Sequence, residues 1–492
     1  NLKPNKNYLP LAVSALARAR ADWLYGLNMT RLCTLQGQKS GYQGVLSIGR
    51  VQTPILGLVV NRDIEIENFV SKPFYEVIAK ITTNSGEQYQ GKWQPSKACQ
   101  PYMDEDKRVL SKKLALNVVN RIKNQSGKVL KVSQDKKNQK APLLFSLSGL
   151  QISAAKAFGM SAKQVLDICQ QLYEKHKLIT YPRSDCQYLP TEHINDIPSV
   201  THAIKSVSSK LATMLIPADL TRKSRVWNDK KVSAHHAIIP TSKASPTGKL
   251  STDEGKIYEL VARQYIAQFY PDFQYCDKQI NTEISGGLFI SKQKDILING
   301  WKDLFQKPSH NKDESGFSAT KLPKLSVGEI VNCLNGELIE KNTTPPKHFT
   351  DATILAALTG ISRYVTDINI KKSLKETDGL GTEATRAGII ELLFKRQFLV
   401  RKGKEINATD VGRKLITALP LPISQPDMTA LWESQLESIS NQTYNYQSFI
   451  LGVEDNLKQL IGDVKNISFI GLPKAPPLKN KRKFTKKRTL KK

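Results

Sequence analysis

The chain has 492 residues, with 73 Lys+Arg against 44 Asp+Glu and a formal net charge of +29. That length means several domains, and 40% hydrophobic residues is enough to build cores, which excludes a chain disordered throughout. No apolar run reaches the ~20 residues of a membrane span, and no signal-peptide pattern follows Asn1.

Residues 1–70 read as the first part of a helical base domain. Leu11–Met29 is rich in Ala, Leu and Arg, a glycine-punctuated loop spans Gly37–Gly49, and a second helix begins at Pro54. Residues 71–140 read as β structure: Phe74–Thr82 alternates with period two, and Lys92–Pro101 and Val129–Val132 are further strands. Residues 141–258 return to helix, with one strand-like insert at Leu178–Tyr181. Residues 259–349 hold short strands at Gln279–Ser285, Leu288–Ser291, Ile296–Gly300, Ile330–Cys333 and Gly336–Lys341. Residues 350–470 are helical again, and 471–492 form a Pro/Lys-rich tail expected to be disordered. The alternation predicts a mixed α and β multidomain fold. One β domain is entered and left twice, with the central helical block as an excursion from it.

The charge favours nucleic acid or another anionic surface as partner. Ten of the basic residues lie in 474–492, so the rest of the chain still carries +19. Cys33, Cys99, Cys169, Cys186, Cys276 and Cys333 form no CxxC pair, so no zinc ribbon is encoded and reduced thiols in a cytoplasmic setting are expected. No Walker A motif is present: Gly248 and Gly255-Lys256 are wrongly spaced and Ile257 stands where Ser or Thr is needed, so no ATP-driven motor is expected.

Four segments could carry chemistry. In Lys177-Leu-Ile-Thr-Tyr-Pro-Arg-Ser-Asp185, Pro182 holds Tyr181 out of the helical region at a strand end, with Arg183 two residues on. A phenol of pKa near 10 needs a fixed cation to attack a phosphodiester, and a guanidinium fork grips phosphate oxygens. Taken alone, the tripeptide fits a buried structural tyrosine as well. In Val232-Ser-Ala-His-His-Ala-Ile-Ile-Pro-Thr241, the paired histidines fit a proton donor, a phosphate ligand or a packing role. In Asp378-Gly-Leu-Gly-Thr-Glu-Ala-Thr-Arg386, two glycines feed a helix capped by Thr382, a start suited to phosphate or a plain loop-to-helix junction. A basic hairpin at Phe398–Ile406 would make this a winged helix. A similar unit surrounds the tyrosine, where Ser161 and Gln164 form a capping box. In Ser47-Ile-Gly-Arg-Val-Gln-Thr53, small residues permit close approach to a strand, and Arg50, Gln52 and Thr53 offer phosphate and sugar contacts. Arg18 and Asp22, four apart on the first helix, fit a helix salt bridge or a DNA contact equally. Asp104-Glu-Asp106 has the spacing of a metal-binding pair but reads as a solvated turn.

Together these segments, with the ALARARADWLYGLNMTR and GYQGVLSIGRVQTP runs within Leu11–Asp63, Asn228–Val232 and Pro426–Glu433, resemble the type IA DNA topoisomerases, and within them the bacterial topoisomerase III branch. The resemblance covers roughly residues 1–470. It implies a toroid in which a β-rich arch joins winged-helix-like domains to a helical base. It implies an ATP-independent enzyme that cleaves one DNA strand, passes another through the gap and reseals it, relaxing negative supercoils and decatenating. Tyr181 would form a 5′-phosphotyrosyl ester, with Arg183 and His235 assisting. Arg18, Asp22, Arg31, Ser47, Ile48, Gly49, Arg50, Val51, Gln52, Thr53, Thr382 and Arg386 match positions near the DNA strand.

The resemblance also implies Mg²⁺, held by acidic residues of an N-terminal TOPRIM domain that this chain is expected to lack, so no metal ligand is named. The chain alone is expected to bind single-stranded or underwound DNA and to relax supercoils poorly. A helicase and a single-stranded DNA-binding protein are the implied partners of a monomer acting on bacterial nucleoid or plasmid DNA. The competing readings are a tyrosine recombinase or relaxase, which the early, central Tyr181 and only seven histidines disfavour, and a non-catalytic single-stranded DNA-binding fragment.

Overall fold

The computed structural model describes residues 4–232, 234–305, 321–365, 367, 371, 379–469 and 471–472. The basic tail and Asp378 lie outside the described residues. The chain divides into two compact units, Asn1–Ile64 with His348–Lys492, and Glu65–Lys347.

In chain order, α1 (Leu9–Lys39) and α2 (Gln52–Glu67) open the first unit. α1 is longer than its Ala/Leu-rich segment suggested. Gly26 and Gly37 lie inside it, and at Gly37 any Cβ would collide with Leu46 of the following loop. The loop is bonded back along the helix: the Ile48 N–H donates to Thr30 Oγ1 at 2.9 Å and the Leu46 N–H to Thr34 Oγ1 at 3.1 Å. The apolar run at the start of α2 is buried throughout from Gln52 to Val60.

The second unit begins with β1 (Pro73–Thr82), β2 (Gln88–Gln94), α3 (Lys112–Ile122) and β3 (Gln125–Gln139). Five helices follow: α4 (Leu147–Phe158), α5 (Ala162–Glu174), α6 (Ile197–Val207), α7 (Ser209–Met214) and α8 (Thr252–Ile266). β4 (Phe273–Ile284), β5 (Gly287–Ile298) and β6 (Ile330–Asn342) complete it. The six strands close into an antiparallel barrel in the order β1-β2-β5-β4-β3-β6. Strands from before and after the helical stretch pair directly, β3 with β4 and β1 with β6. Val77, Ile81, Tyr89, Phe289 and Val331 fill the barrel, joined by Ala115, Val118 and Ile122 of α3.

Several expected strands differ. Lys92–Pro101 is strand only to Gln94, because Pro95 interrupts it and a 3₁₀ turn follows at Lys97–Tyr102. The short strands of 279–300 merge into β4 and β5, joined at Ser285-Gly286, both in the left-handed region. The two short strands of 330–341 are one, β6. Leu178–Tyr181 makes a single bridge, Ile179 to Pro240, rather than a strand. The turn acids Asp104 and Asp106 both pair with Arg108.

The chain returns to the first unit through β7 (Phe349–Thr350) and α9 (Asp351–Thr359). α10 (Glu383–Lys395) leads into a hairpin, β8 (Leu399–Lys402) and β9 (Glu405–Ala408), which with β7 makes a three-stranded sheet. α11 (Asp410–Ala418), α12 (Leu421–Ser424), α13 (Asp427–Ser440) and α14 (Tyr446–Val464) finish it. The buried Asp63 of α2 ties these parts together. Its carboxylate accepts the Ala408 N–H at 2.7 Å and contacts His348 Nδ1 at 2.9 Å. Among the described residues no helix is long and apolar enough to cross a membrane.

Candidate functional site

In Glu65–Lys347, the chemistry collects around Tyr181. The Ser161–Gln164 capping box starts α5, with Gln164 Oε1 accepting the Ser161 N–H at 2.9 Å. The helix buries Val165, Cys169 and Leu172 and ends before Lys177, whose φ of +57° turns the chain sharply. Leu178–Thr180 is then fastened to the Ala237–Thr241 segment. The Thr180 N–H donates to Ile239 O at 2.9 Å, the Ile239 N–H to Thr180 Oγ1 at 3.0 Å, and the Thr241 N–H to Leu178 O at 3.0 Å. These cross-links bring Tyr181 and His235 together, although 54 positions separate them.

The rings of Tyr181 and His235 stack with centroids 4.9 Å apart and planes 23° apart, and Tyr173 of α5 meets Tyr181 edge-on at 5.7 Å. Tyr181 remains 40% exposed, enough for its hydroxyl to meet a large substrate. Pro182 is buried, Arg183 exposed and Ser184 buried again, so the alternation turns the guanidinium outward on the same short segment. Arg183 has no hydrogen bond or ion pair among the described residues.

His236, next to His235, is turned inward. Its Nδ1 lies 2.8 Å from Ala237 O, and its ring meets His193 at 4.7 Å. Burial, with His193 and His235 nearby, lowers its pKa and favours the neutral imidazole. The turn carrying His193 is pinned by Asp229, which accepts the Thr191 N–H at 2.9 Å. Sequence reasoning singled out neither Tyr173 nor His193. Tyr173 has the helical spacing of the α5 face as its only signal, and His193 has none.

In Asn1–Ile64 with His348–Lys492, several predicted strand contacts form a charge cluster instead of a salt bridge within α1. Arg18 and Asp22 do not pair with each other. Arg18 reaches Glu433 Oε2 at 2.5 Å, while Arg50 pairs with Asp22 and with Glu433 Oε1 at 2.7 Å. Arg50 is only 6% exposed, and its carbonyl accepts the Thr429 hydroxyl. The carboxylates more than offset burial and hold the Arg50 pKa above its ordinary value. Glu433 was legible only as part of the Pro426–Glu433 segment and was not singled out as a site residue.

Around this cluster, the Gly49 N–H donates to Thr53 Oγ1 at 3.0 Å, Ile48 and Gln52 are buried, and the buried Ser47 Oγ has no partner among the described residues. Arg31 is exposed on α1. Gly379 and Gly381 take φ of +83° and +72°, and Val51 packs where a Gly381 Cβ would sit. The Thr382 N–H donates to Thr385 Oγ1 at 3.2 Å, capping α10. Arg386 is fully buried and donates to Leu380 O at 3.1 Å and Glu383 Oε1 at 3.0 Å. Arg18, Gly381, Thr382 and Glu433 line one open cleft of about 310 Å³.

Magnesium needs several convergent oxygen ligands. Among the described residues no three His, Cys, Asp or Glu side chains come together in a group that could hold a metal ion. The acids beside the predicted strand contacts, Asp22 and Glu433, are already neutralised by arginine. The described residues do not fit the ion. The six cysteines are unbridged, and burial pushes the thiols of Cys33 and Cys169 up to about 12, which makes them packing groups.

Residues 6–451 match the family model described as DNA topoisomerase. DNA topoisomerase 3 of Pasteurella multocida is 50% identical, aligned over 100% of this chain and 76% of its own length. DNA topoisomerase 3 of Haemophilus influenzae is 53% identical over 96% of this chain and 72% of its own. The full-length topoisomerase I structure from Thermotoga maritima superposes with a TM-score of 0.63 at 19% identity, covering 92% of this chain and 69% of that one. The fold is therefore shared with that protein.

Proposed function

The chain belongs to the type IA DNA topoisomerase family, resembling its bacterial topoisomerase III members, and on that premise we propose that Tyr181 is the nucleophile of a reversible DNA strand transfer. The phenol oxygen attacks the scissile phosphorus, the P–O3′ bond breaks, and a 5′-phosphotyrosyl ester and a free 3′-hydroxyl result. Attack by that hydroxyl reverses the step. The ester conserves the bond energy, so resealing needs no ATP.

The observation that carries this reading is the exposed Tyr181 stacked on His235, with the exposed Arg183 two residues on. Arg183 neutralises the charge that develops on the phosphate. His235 orients the phenol ring and offers a proton acceptor beside it. In the other unit, Arg18, Arg31 and Thr382 have exposed side chains and contact the strand directly, while Asp22, Arg50 and Arg386 hold the Ser47–Thr53 loop and the start of α10 in shape for it. Residues 71–140 and 259–349 act as the arch, and 141–258 as the domain carrying the tyrosine. Passage of a second strand through the break would then relax or decatenate DNA, with a helicase and a single-stranded DNA-binding protein preparing the substrate.

The test is covalent trapping. A single-stranded oligonucleotide labelled at its 3′ end should become protein-linked in denaturant with the wild-type chain, and not with Tyr181→Phe. Retained binding with no adduct from either protein would replace this reading with that of a non-catalytic single-strand binder.

A further inference from the structure

The barrel of Glu65–Lys347 carries a second basic region that shares no residue with the tyrosine centre. Among the described residues, six lysines on or beside this barrel are matched to a carboxylate. Lys92 and Lys341 share Glu76, Lys137 pairs with Asp277, Lys278 with Asp295, Lys80 with Glu337 and Lys112 with Glu340. Lys294 and Lys302 instead lie against aromatic rings. The Lys302 ammonium sits 3.4 Å from the centroid of Phe273, and that of Lys294 lies 5.6 Å from the same ring and 3.8 Å from that of Tyr275. Neither has a carboxylate partner among the described residues. Burial and the neighbouring Lys294 both lower the pKa of Lys302, the signature of two cations crowded together without an anion.

The next residue over, Trp301, is held by its indole N–H, which donates to Gln139 O at 2.9 Å. It lines an open cleft of about 430 Å³ with Lys140 and Arg225. Those two also line an adjoining cleft of about 150 Å³ with Arg222 and Lys223, whose one carboxylate, Asp272, is taken by Arg222 at 2.6 Å. At the end of β5 beside Trp301, Ile296 and Leu297 are more than half exposed.

We infer that this row, running from Lys140 and Arg225 past Trp301 to Lys294 and Lys302, binds a stretch of single-stranded DNA separate from the one at the tyrosine centre. Uncompensated cations at several points suit a polyanion with regularly spaced charges. A fixed indole and exposed aliphatic side chains among them suit unstacked bases, which an acidic protein segment would not use. The crowding of Lys294 and Lys302 is relieved when a phosphate lies between them. This inference rests on DNA being the substrate and goes beyond the chemistry at Tyr181.

The experiment compares the full 492-residue chain on two oligonucleotides, one of about 8 nucleotides, short enough for a single site, and one of about 30 that can reach both. The double variant Lys294→Gln/Lys302→Gln should weaken binding of the long strand about tenfold. It should also flatten its salt dependence by about 1.4 in log–log slope, roughly 0.7 for each lost phosphate contact. Binding of the short strand should be unchanged. Trp301→Ala should weaken the long strand about tenfold through lost stacking, and Trp301→Phe should restore most of it. A long strand bound with wild-type affinity and slope by the lysine variant overturns the inference, as does equal weakening of both strands. So does displacement of the long strand by polyglutamate as effective as displacement by an equal length of DNA, which would make the row a site for an acidic protein. Failure of the wild-type chain to bind even the short strand counts against the function proposed above, a separate result.

Discussion

Arg183 and Arg50 both sit in segments suited to gripping phosphate, and the fold leaves them in opposite states. Arg183 is exposed beside the stacked pair of Tyr181 and His235, with its charge uncompensated among the described residues. Arg50 is buried, with its fork divided between Asp22 and Glu433. A guanidinium already holding two carboxylates has few donors left for a phosphate, and pulling it away would strand charge in a poorly hydrated site. The contrast separates a group kept free for substrate from a group used to hold a loop in place, and the two predict different failures on substitution.

The largest effect falls on chemistry. Arg183→Ala should lower formation of the covalent adduct by on the order of 10²–10³, as expected for loss of one charge-stabilising donor. Its thermal midpoint should stay where it was, because an exposed, unpaired side chain contributes little to folding. A midpoint that falls together with the adduct yield would mean Arg183 is structural and would erase the contrast.

Next comes Arg50→Ala, with the opposite profile. It leaves Asp22 and Glu433 facing each other, and breaking a buried pair of this kind costs about 3 kcal/mol, the low end of the range because Asp22 is half exposed. The midpoint of its unit should drop by about 6–12 °C. Glu433→Gln should cost less, about 1–2 kcal/mol, since Arg50 keeps Asp22. Arg18→Ala should cost under about 1 kcal/mol, because Arg18 is 41% exposed and water screens its pair. Calorimetry of the three variants tests the series. Equal losses would show that burial does not grade this cluster.

What could be read in advance follows the range of the interactions. Ser161 and Gln164, three residues apart, announce their capping box in the chain itself, and the hairpin read at Phe398–Ile406 is marked by the basic residues around Gly403, at φ +64°. Of the two readings open for Arg18 and Asp22, the helix salt bridge is not formed: helical spacing offers an obvious partner, whereas Arg18 pairs with Glu433, 415 positions away. Leu178–Thr180 looked like a strand, but its hydrogen bonds go to Ala237–Thr241, and only one bridge forms. The helix at Lys112–Ile122 was missed although Ala115, Val118 and Ile122 have helical spacing, because it sits among strands and buries that face into their barrel. At the candidate site, Tyr181, Arg183 and His235 were legible as residue types. The stacking that joins two of them depends on a contact that no local pattern encodes.

The smallest effect concerns the pair His235 and His236, the first stacked on the exposed tyrosine and the second turned inward. Burial, reinforced by His193 and His235, holds the pKa of His236 below the ordinary imidazole value of 6.5, against the pull of the Ala237 carbonyl. In the unfolded chain the group takes up its proton near the ordinary value, so below about pH 6.5 the unfolded state binds more protons than the folded one. Stability is therefore full above that pH, falls as pH drops toward the lowered folded value, and changes no further below it. His236→Asn can keep a donor to the Ala237 carbonyl but does not titrate. Urea denaturation between about pH 7.5 and about pH 5.5 should show a shallower loss for this variant than for the wild type. Equal slopes in the two proteins would mean that the inward histidine does not resist protonation, and that the two histidines differ only in what their rings touch.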